Sequence, residues 1–353
     1  MPQPEGAALH HNYNPIITQQ AQGMLQGLTT QFIARNVFPN VPVGSPSGMF
    51  TKWNRGDFMR RTAKRLANYE APPIGGFGTG EGSFSVDTYG LATMWTRKDL
   101  ANAVRGGVSV GNFEKAKTLY VVTGNLLELE IQTASLIQTT GSWTTTWAGV
   151  AAAPSTDQFI KWSSASSDPV DDMDRIKKLF RDTVGFNPNT VILPENIKMA
   201  LRKNANLIDR IKYAGSPERP TQVTMEQIKG LWEMDRILTP EGRYNAAKEG
   251  AADNLQPIWS DTVWVGYTTP TPSPEQPSAG YHFSWTGDTT MGLPTGVDPS
   301  EGPQNWDAVR NDDGIFMRRY RENRPNATFL EGEMFTTPNV VAKDLGMTLT
   351  AVL

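Results

Sequence analysis

Between Asn112 and Thr139 the apolar residues Phe113, Ala116, Leu119, Tyr120, Leu126, Leu127, Ile131, Ala134 and Ile137 recur at helical spacing. Glu114, Lys115, Lys117, Glu128 and Glu130 supply a polar side, and Gly141 follows as a stop signal. The pattern predicts one amphipathic helix, roughly 40 Å long at ~1.5 Å per residue. That exceeds the ~11–12 residues of an ordinary globular helix and implies an element crossing more than one packing layer. A long core helix of an enzyme and a structural spine both satisfy the pattern.

Ahead of this helix the chain is loose. Residues 1–50 are punctuated by Pro2, Pro4, Pro15, Pro39, Pro42 and Pro46, with one short helix expected over Thr18–Ala34. Such a segment buries little alone and is either a floppy terminus or an arm ordered by a neighbour. Residues 51–90 read as two extended limbs joined by a long tip. Lys52, Arg55, Arg60, Arg61, Lys64 and Arg65 are interleaved there with Phe50, Trp53 and Phe58. That interleaving suits a nucleic-acid surface, but the low overall pI favours a solvated or subunit-facing loop. The run Gly75–Gly82 has alternating glycines, fits neither phosphate-loop pattern and is expected to be a flexible loop.

After the helix, GSWTTTWAGVAAAPST reads as a low-complexity connector. A compact α/β region follows. Asp168-Pro169 starts a helix with Met173, Ile176, Phe180 and Val184 inward and Gly185 as its stop. A short strand spans Thr190–Leu193, and Pro194 opens a helix presenting Ile197, Leu201, Ile208 and Ile211. Thr224 with Gln227 forms a capping box. IWSDTVWVGYTTP is β-like, and TPTPSPEQPS is an exposed loop. From Gly314 the chain is extended again, with Arg318, Arg319, Arg321 and Arg324 near Glu322, Glu331 and Glu333 in an expected ion-pair network. The apolar ending MTLTAVL argues for a packed C-terminus.

Composition adds bounds. The chain has 353 residues, a net charge of −3, 32 Gly, 25 Pro and no Cys. It is long enough for about two domains, is not globally basic, and has no disulfide or thiolate site. No secretory signal or membrane-spanning run is apparent. The histidines are His10, His11 and His282, and HExxH and GxSxG are missing. Asp171, Asp172 and Asp174 are accounted for by helix capping without a metal. Tryptophans such as Trp143, Trp147, Trp162, Trp259, Trp264, Trp285 and Trp306 suit core packing better than sugar stacking. Arg55-Gly56-Asp57 is too short a match to carry weight. No catalytic, cofactor or metal constellation stands out, so the chain does not read as an enzyme.

The order of parts resembles the major capsid proteins of tailed double-stranded DNA bacteriophages, which share the Hong Kong 97 fold. NTVILPENIKMALRKNANLIDRIKY looks like the strand-then-helix unit of that family's axial domain, WSDTVWVGY like a later strand, and NVVAKDLGMTLTAVL like its closing strand. The likeness is diffuse, because the family has no short signature. It implies an α+β fold with an N-terminal arm (1–50), an extended two-stranded loop (51–90) and a peripheral domain (91–144) with a spine helix (112–139). An axial domain (145–315) and C-terminal strands returning to the peripheral domain (316–353) complete it.

The implied function is a shell subunit assembling as hexamers and pentamers around packaged DNA, in virions built in the bacterial cytoplasm. Implied partners are a portal, a decoration or cement protein and non-specific DNA contact, with no membrane. The family prototype's long N-terminal scaffolding segment has no counterpart before the loop here, which leads to the expectation of a separate scaffolding protein. Covalent crosslinking is not expected. Candidate subunit-contact residues are Lys52, Trp53, Arg55, Arg60, Arg61, Lys64, Arg65, Arg318, Arg319 and Arg321. The spine helix is expected to pack under the C-terminal strands, with Ile131 on its apolar face. The rival readings are an encapsulin-like nanocompartment shell and a carbohydrate-binding or glycan-cleaving protein.

Overall fold

The computed structural model describes residues 32–53, 55–213, 223–273, 276–285, 314–322 and 326–353. The chain runs through α1 (Ala34–Val37), β1 (Asn40–Val43), β2 (Ser47–Trp53), α2 (Arg55–Phe58), β3 (Thr79–Ser85), β4 (Thr88–Thr96) and α3 (Arg97–Arg105). The spine helix α4 (Val110–Gln138) is followed by β5 (Thr145–Val150), β6 (Gln158–Ile160), α5 (Pro169–Thr183), β7 (Thr190–Ile192), α6 (Glu195–Lys203), α7 (Ala205–Tyr213) and α8 (Met225–Trp232). Then come β8 (Arg236–Leu238), β9 (Arg243–Asn245), β10 (Leu255–Pro257), β11 (Val263–Gly266), β12 (Gly280–Trp285), β13 (Ile315–Glu322), β14 (Ala327–Val340) and β15 (Gly346–Thr350). The architecture is α+β.

Two sheets organise the core. The first has strand order β6-β5-β15-β11-β7-β8 and is buried on both faces. Val191, Val263, Val265, Met347 and Leu349 face α5 to α8, against Met173, Ile176, Phe180, Ile197, Leu201, Leu207, Ile228 and Trp232. The alternate residues Ile192 and Trp264 face the other way, onto Trp143, Phe38 and Ile137 at the C-terminal end of the spine. That two-sided burial is why these strands read as unbroken apolar runs.

The second sheet is built on β14. Residues 327–335 of β14 pair antiparallel with β4, and residues 327–334 pair with β13 on the other edge. Residues 336–340 pair with β12, which in turn pairs parallel with β1. Beneath it lies α4, whose Val121, Val122, Leu126 and Leu129 meet Ile315, Met317, Leu330 and Met334. Close approach requires Gly332. A Cβ there would sit 2.6 Å from Val121 Cγ1, and the Asn125 side-chain amide donates to the Gly332 carbonyl at 3.1 Å.

The spine helix is thus found under the C-terminal strands, but with a different buried face. Its buried residues are Thr118, Val121, Val122, Asn125, Leu126, Leu129, Glu130, Thr133, Ala134 and Ile137. Leu119 and Tyr120 are exposed, Ile131 is half-buried, and Glu130 is wholly buried. The helix changes partners along its length, from the β14 sheet to the six-stranded sheet, so no single stripe of apolar residues describes it. Its start is capped by the Ser109 hydroxyl, which accepts from the Asn112 amide at 3.2 Å.

Several other expectations change. Most of the helix expected over Thr18–Ala34 lies outside the described residues. Residues 32–43, placed in an irregular arm, are built into the core: Phe32, Ile33, Ala34, Val37, Phe38 and Val41 are buried, and β1 is an edge strand that tolerates Pro42. The presumed connector contains β5, a strand with Trp147 inward. The helix from Pro194 breaks at Asn204, whose side-chain oxygen accepts from the amides of Asn206 and Leu207 and so starts a second helix. The C-terminal segment divides: β13 and β14 cover the spine, whereas β15 inserts between β5 and β11 in the other sheet. Asp168 caps α5 as expected, accepting from Val170 and Asp171.

Truncation at the spine should track this corrected face. Leu129→Ala is expected to cost about 2–5 kcal/mol in denaturant unfolding. Leu119→Ala, at an exposed position, should stay within about 0.5 kcal/mol.

Candidate functional site: the inner junction and the exposed loop

Helix α1 has only four residues, too few to satisfy its own ends, and the rest of the molecule supplies the partners. At its start, the Ala34 amide donates to Glu130 Oε2 at 2.6 Å, with Ile33 N–H on the same carboxylate. Trp259 Nε1 donates to Glu130 Oε1 at 2.5 Å. At its end, Arg236 Nη1 donates to the Asn36 carbonyl at 3.2 Å while Nη2 holds the hydroxyls of Thr190 (3.1 Å) and Thr268. His282 follows, with Nδ1 2.8 Å from the Phe38 carbonyl and Nε2 3.0 Å from Thr133 Oγ1. The spine helix, both sheets and the incoming N-terminal segment are tied together here.

Burial dominates the titration of these groups. It pushes the Glu130 carboxyl up, opposed by the donors from Trp259, Ala34 and Ile33. It pushes the His282 imidazole down to about 3, with the Phe38 carbonyl opposing. His282 lies on β12, just after the Pro-rich segment, and is fully buried. Sequence spacing gave no hint of Glu130, Arg236 and His282 acting on one short segment. Their only sequence signal is polar residues within otherwise apolar helical and strand patterns.

In the extended loop β2 and β3 pair antiparallel from Ser47↔Ser85 to Trp53↔Thr79, so the ribbon begins before residue 51, and β4 joins the β14 sheet instead. At alternate positions, on one face of the ribbon, a larger residue faces a glycine, in the pairs Gly48↔Phe84, Phe50↔Gly82 and Lys52↔Gly80. A Cβ on Gly82 would lie 2.4 Å from Phe50 Cζ. The alternating glycines therefore continue into a strand rather than a wholly flexible loop, and they make room for side chains across the ribbon. Its base is anchored on β12, where Phe84 stacks on Phe283 at 4.6 Å. Beyond the ribbon, the tip projects Met59, Leu66, Tyr69, Ile74 and Phe77 into solvent.

The candidate contact residues divide. Lys52 is exposed on β2, with its ammonium 5.3 Å from the Phe50 ring centre. Trp53 ends β2 and Arg55 starts α2. Arg60 pairs with Asp57 at 3.2 Å and Lys64 with Glu70 at 2.6 Å, both within the tip. Arg61 and Arg65 are exposed and have no ion-pair partner among the described residues. Arg318 is half-buried and engaged within the chain, with Glu331 and with Glu333 at 3.5 Å, as the expected network required. Arg319 turns instead to Glu114 at 2.9 Å and lies over Trp95. Arg321 donates to Asn326 at 2.7 Å.

Among the described residues there is no cluster of three or more metal-type ligands, and no helix is long and apolar enough to cross a membrane. An open groove of about 570 Å³ between β4 and α4 is lined by Ala92, Met94, Phe113, Ala116, Lys117 and Tyr120, without a convergent acid–base pair. Trp143, Trp147, Trp162, Trp259 and Trp264 are buried in the core, as the packing reading expects; Trp285 is half-buried, and Trp306 lies outside the described residues.

No family model matches the chain. A major capsid protein of Burkholderia phage BcepMu is 23% identical over 277 residues, 76% of this chain and 82% of the relative. A major capsid protein of Pseudomonas phage JBD67 is 23% identical over 229 residues, 65% and 69% respectively. Among solved structures, a phage-related protein from Bordetella bronchiseptica RB50 superposes with TM-score 0.68 at 22% identity, covering 96% of this chain and 97% of that one. A virus-like particle protein from Pyrococcus furiosus reaches 0.51 at 7% identity, covering 94% and 98%.

His282 generates a pH prediction. Neutral in the fold and protonated when unfolded below its ordinary value of 6.5, it contributes stability that is complete above about pH 6.5 and lost as pH falls toward 3. Glu130, with its carboxyl raised, has the opposite slope: its contribution is present at low pH and lost as pH rises through its folded value. Urea unfolding from pH 3 to 7 should show a shallower acid loss in His282→Gln than in the wild-type chain. Glu130→Ala, which strands three buried donors, should cost more than Glu130→Gln at every pH.

Proposed function

We propose, from the premise that the chain is a homologue of phage major capsid proteins built on the Hong Kong 97 fold, that it is the shell subunit of a tailed phage head enclosing double-stranded DNA. The observation that carries this is the match to the BcepMu major capsid protein over most of both chains. The extended loop supports it: its tip exposes five large apolar side chains that this chain's own core leaves uncovered. Hexamers and pentamers of the chain would cover them. The domain roles follow, with the residues after the arm as loop, spine-bearing peripheral domain and axial domain.

In this reading the protein acts by geometry and carries no catalytic site. Its partners are further copies of itself, a scaffolding protein, a portal, a decoration protein and the packaged DNA, with assembly in the host cytoplasm. The basic residues of the loop tip meet acidic surfaces of adjacent copies. Arg61 and Arg65 are the strongest members of that set, since Arg60 and Lys64 already have partners inside the tip. The compartment reading shares the fold, but both sequence relatives are phage proteins, which favours the phage head.

Size-exclusion chromatography with negative-stain microscopy tests the class: closed shells or ring oligomers are expected, and a persistent monomer that binds glycans would overturn it. Arg61→Glu with Arg65→Glu should lower shell yield several-fold while leaving the unfolding midpoint of the isolated chain unchanged. Unaltered yield would remove the loop tip from the contact.

A further inference from the structure

We infer that the exposed shoulder formed by α3 and the first turns of α4 is a nucleic-acid surface that grips the phosphate backbone of duplex DNA without reading its sequence. Residues 97–117 carry the cations Arg97, Lys98, Arg105, Lys115 and Lys117 against two carboxylates, Asp99 and Glu114, in a chain whose net charge is −3. Both carboxylates are already committed. Asp99 accepts from the Thr96 amide at 3.0 Å and hydroxyl at 2.8 Å in the capping box, and Glu114 pairs with Arg319 at 2.9 Å. Lys117 is half-buried beside Thr93 and the Phe113 ring. Arg97, Lys98, Arg105 and Lys115 remain exposed, with no hydrogen-bond or ion-pair partner among the described residues.

Three of these four cations, Arg97, Lys98 and Arg105, lie on α3, and Lys115 lies on the second turn of α4. Lys98 and Arg105 are seven residues apart on α3 and share a face, about 10 Å from one another along the axis. Arg97 is adjacent, and the Gly106-Gly107 turn, with Gly107 at φ 87°, folds α4 back against α3. α3 is capped at Thr96 and anchored through Leu100 on the core under the β14 sheet, which leaves its charged face exposed. No aromatic side chain lies between Arg97 and Asn112 to stack on an unpaired base. That leaves phosphate contact to a duplex, a sequence-independent mode. The inference deepens the shell reading by naming the face that meets the enclosed polyanion.

The test is fluorescence anisotropy of the purified full-length chain with a 30-base-pair random duplex across a sodium chloride series. In it the wild-type chain is compared with R97Q/K98Q/R105Q/K115Q. Glutamine keeps helix propensity, so folding is preserved, and circular dichroism checks it. A control, K178Q/K203Q/R243Q/K248Q, removes the same charge from exposed positions elsewhere. Loss of four phosphate contacts should make the log–log salt dependence shallower by about 3–4 and weaken binding at low salt at least ten-fold, with the control near wild type. Equal binding by the shoulder variant, an equal loss in the control, or competition by poly-glutamate as effective per charge as DNA would each overturn the inference. Microscopy of shells from the same variant keeps the two readings apart: intact shells with unchanged DNA binding defeat this inference alone, and a wild-type chain that never forms shells defeats the shell reading.

Discussion

The structure depends on one buried carboxylate. Glu130 sits in the middle of the spine helix with no solvent contact, and the N–H groups of Ile33, Ala34 and Trp259 converge on it. Three donors require an acceptor, and a buried carboxyl is tolerated only when it is fully hydrogen-bonded. The consequence is topological. A four-residue helix that could not persist alone is held in place, and with it β1, β12 and the start of the extended loop. Arg236 and His282 then fix the other end of the same helix, so each sheet has a polar tie to a segment that belongs to neither.

The second constraint is that β14 serves two neighbourhoods. Its first nine residues make the roof over α4 with β4 and β13, and its last five pair with β12 beside the junction. Gly332 lets the roof come close enough for Val121 to pack and for Asn125 to bond its carbonyl. Force applied at the loop ribbon is thereby passed through Phe84 and Phe283 to β12, from β12 to β14, and from β14 to the spine.

Much of this was legible in the sequence. The spine, the Asp168-Pro169 cap, the Thr224–Gln227 capping box, the buried strand at Thr190 and the two-limbed loop were visible because each is a local pattern read at its own period. What failed was non-local. Leu119 and Tyr120 were assigned inward because a single helical stripe was assumed, whereas α4 is covered by different elements at its two ends. Trp147 sits in a Thr-rich stretch whose pattern resembles a linker, and the partner that pairs with it, β15, arrives from two hundred residues away. Glu130 reads as part of the polar side of the helix, since nothing in its neighbours announces the partners that bury it. Among the candidate contact residues, the engagement of Arg318 with Glu331 and Glu333 inside the chain is a tertiary fact that no local pattern announces.

The loop also shows why a monomer of this chain is an incomplete object. Its base is packed, with Phe50, Phe84 and Phe283 closing a small core around β12. Its tip has the opposite character: Tyr69 is fully exposed at φ 70°, a left-handed conformation that a non-glycine residue adopts at some cost. Glu70 holds that turn by accepting from Lys64 and from the Ala67 amide. A strained turn presenting an aromatic ring to water is unfavourable twice over unless something else covers it. An apolar tip that the chain's own core leaves exposed is suited to heterologous contact, in which each copy covers a different part of the next. Such contacts close into rings when the rotation from copy to copy closes, and the same physics that leaves the tip bare in one copy would cover it in many.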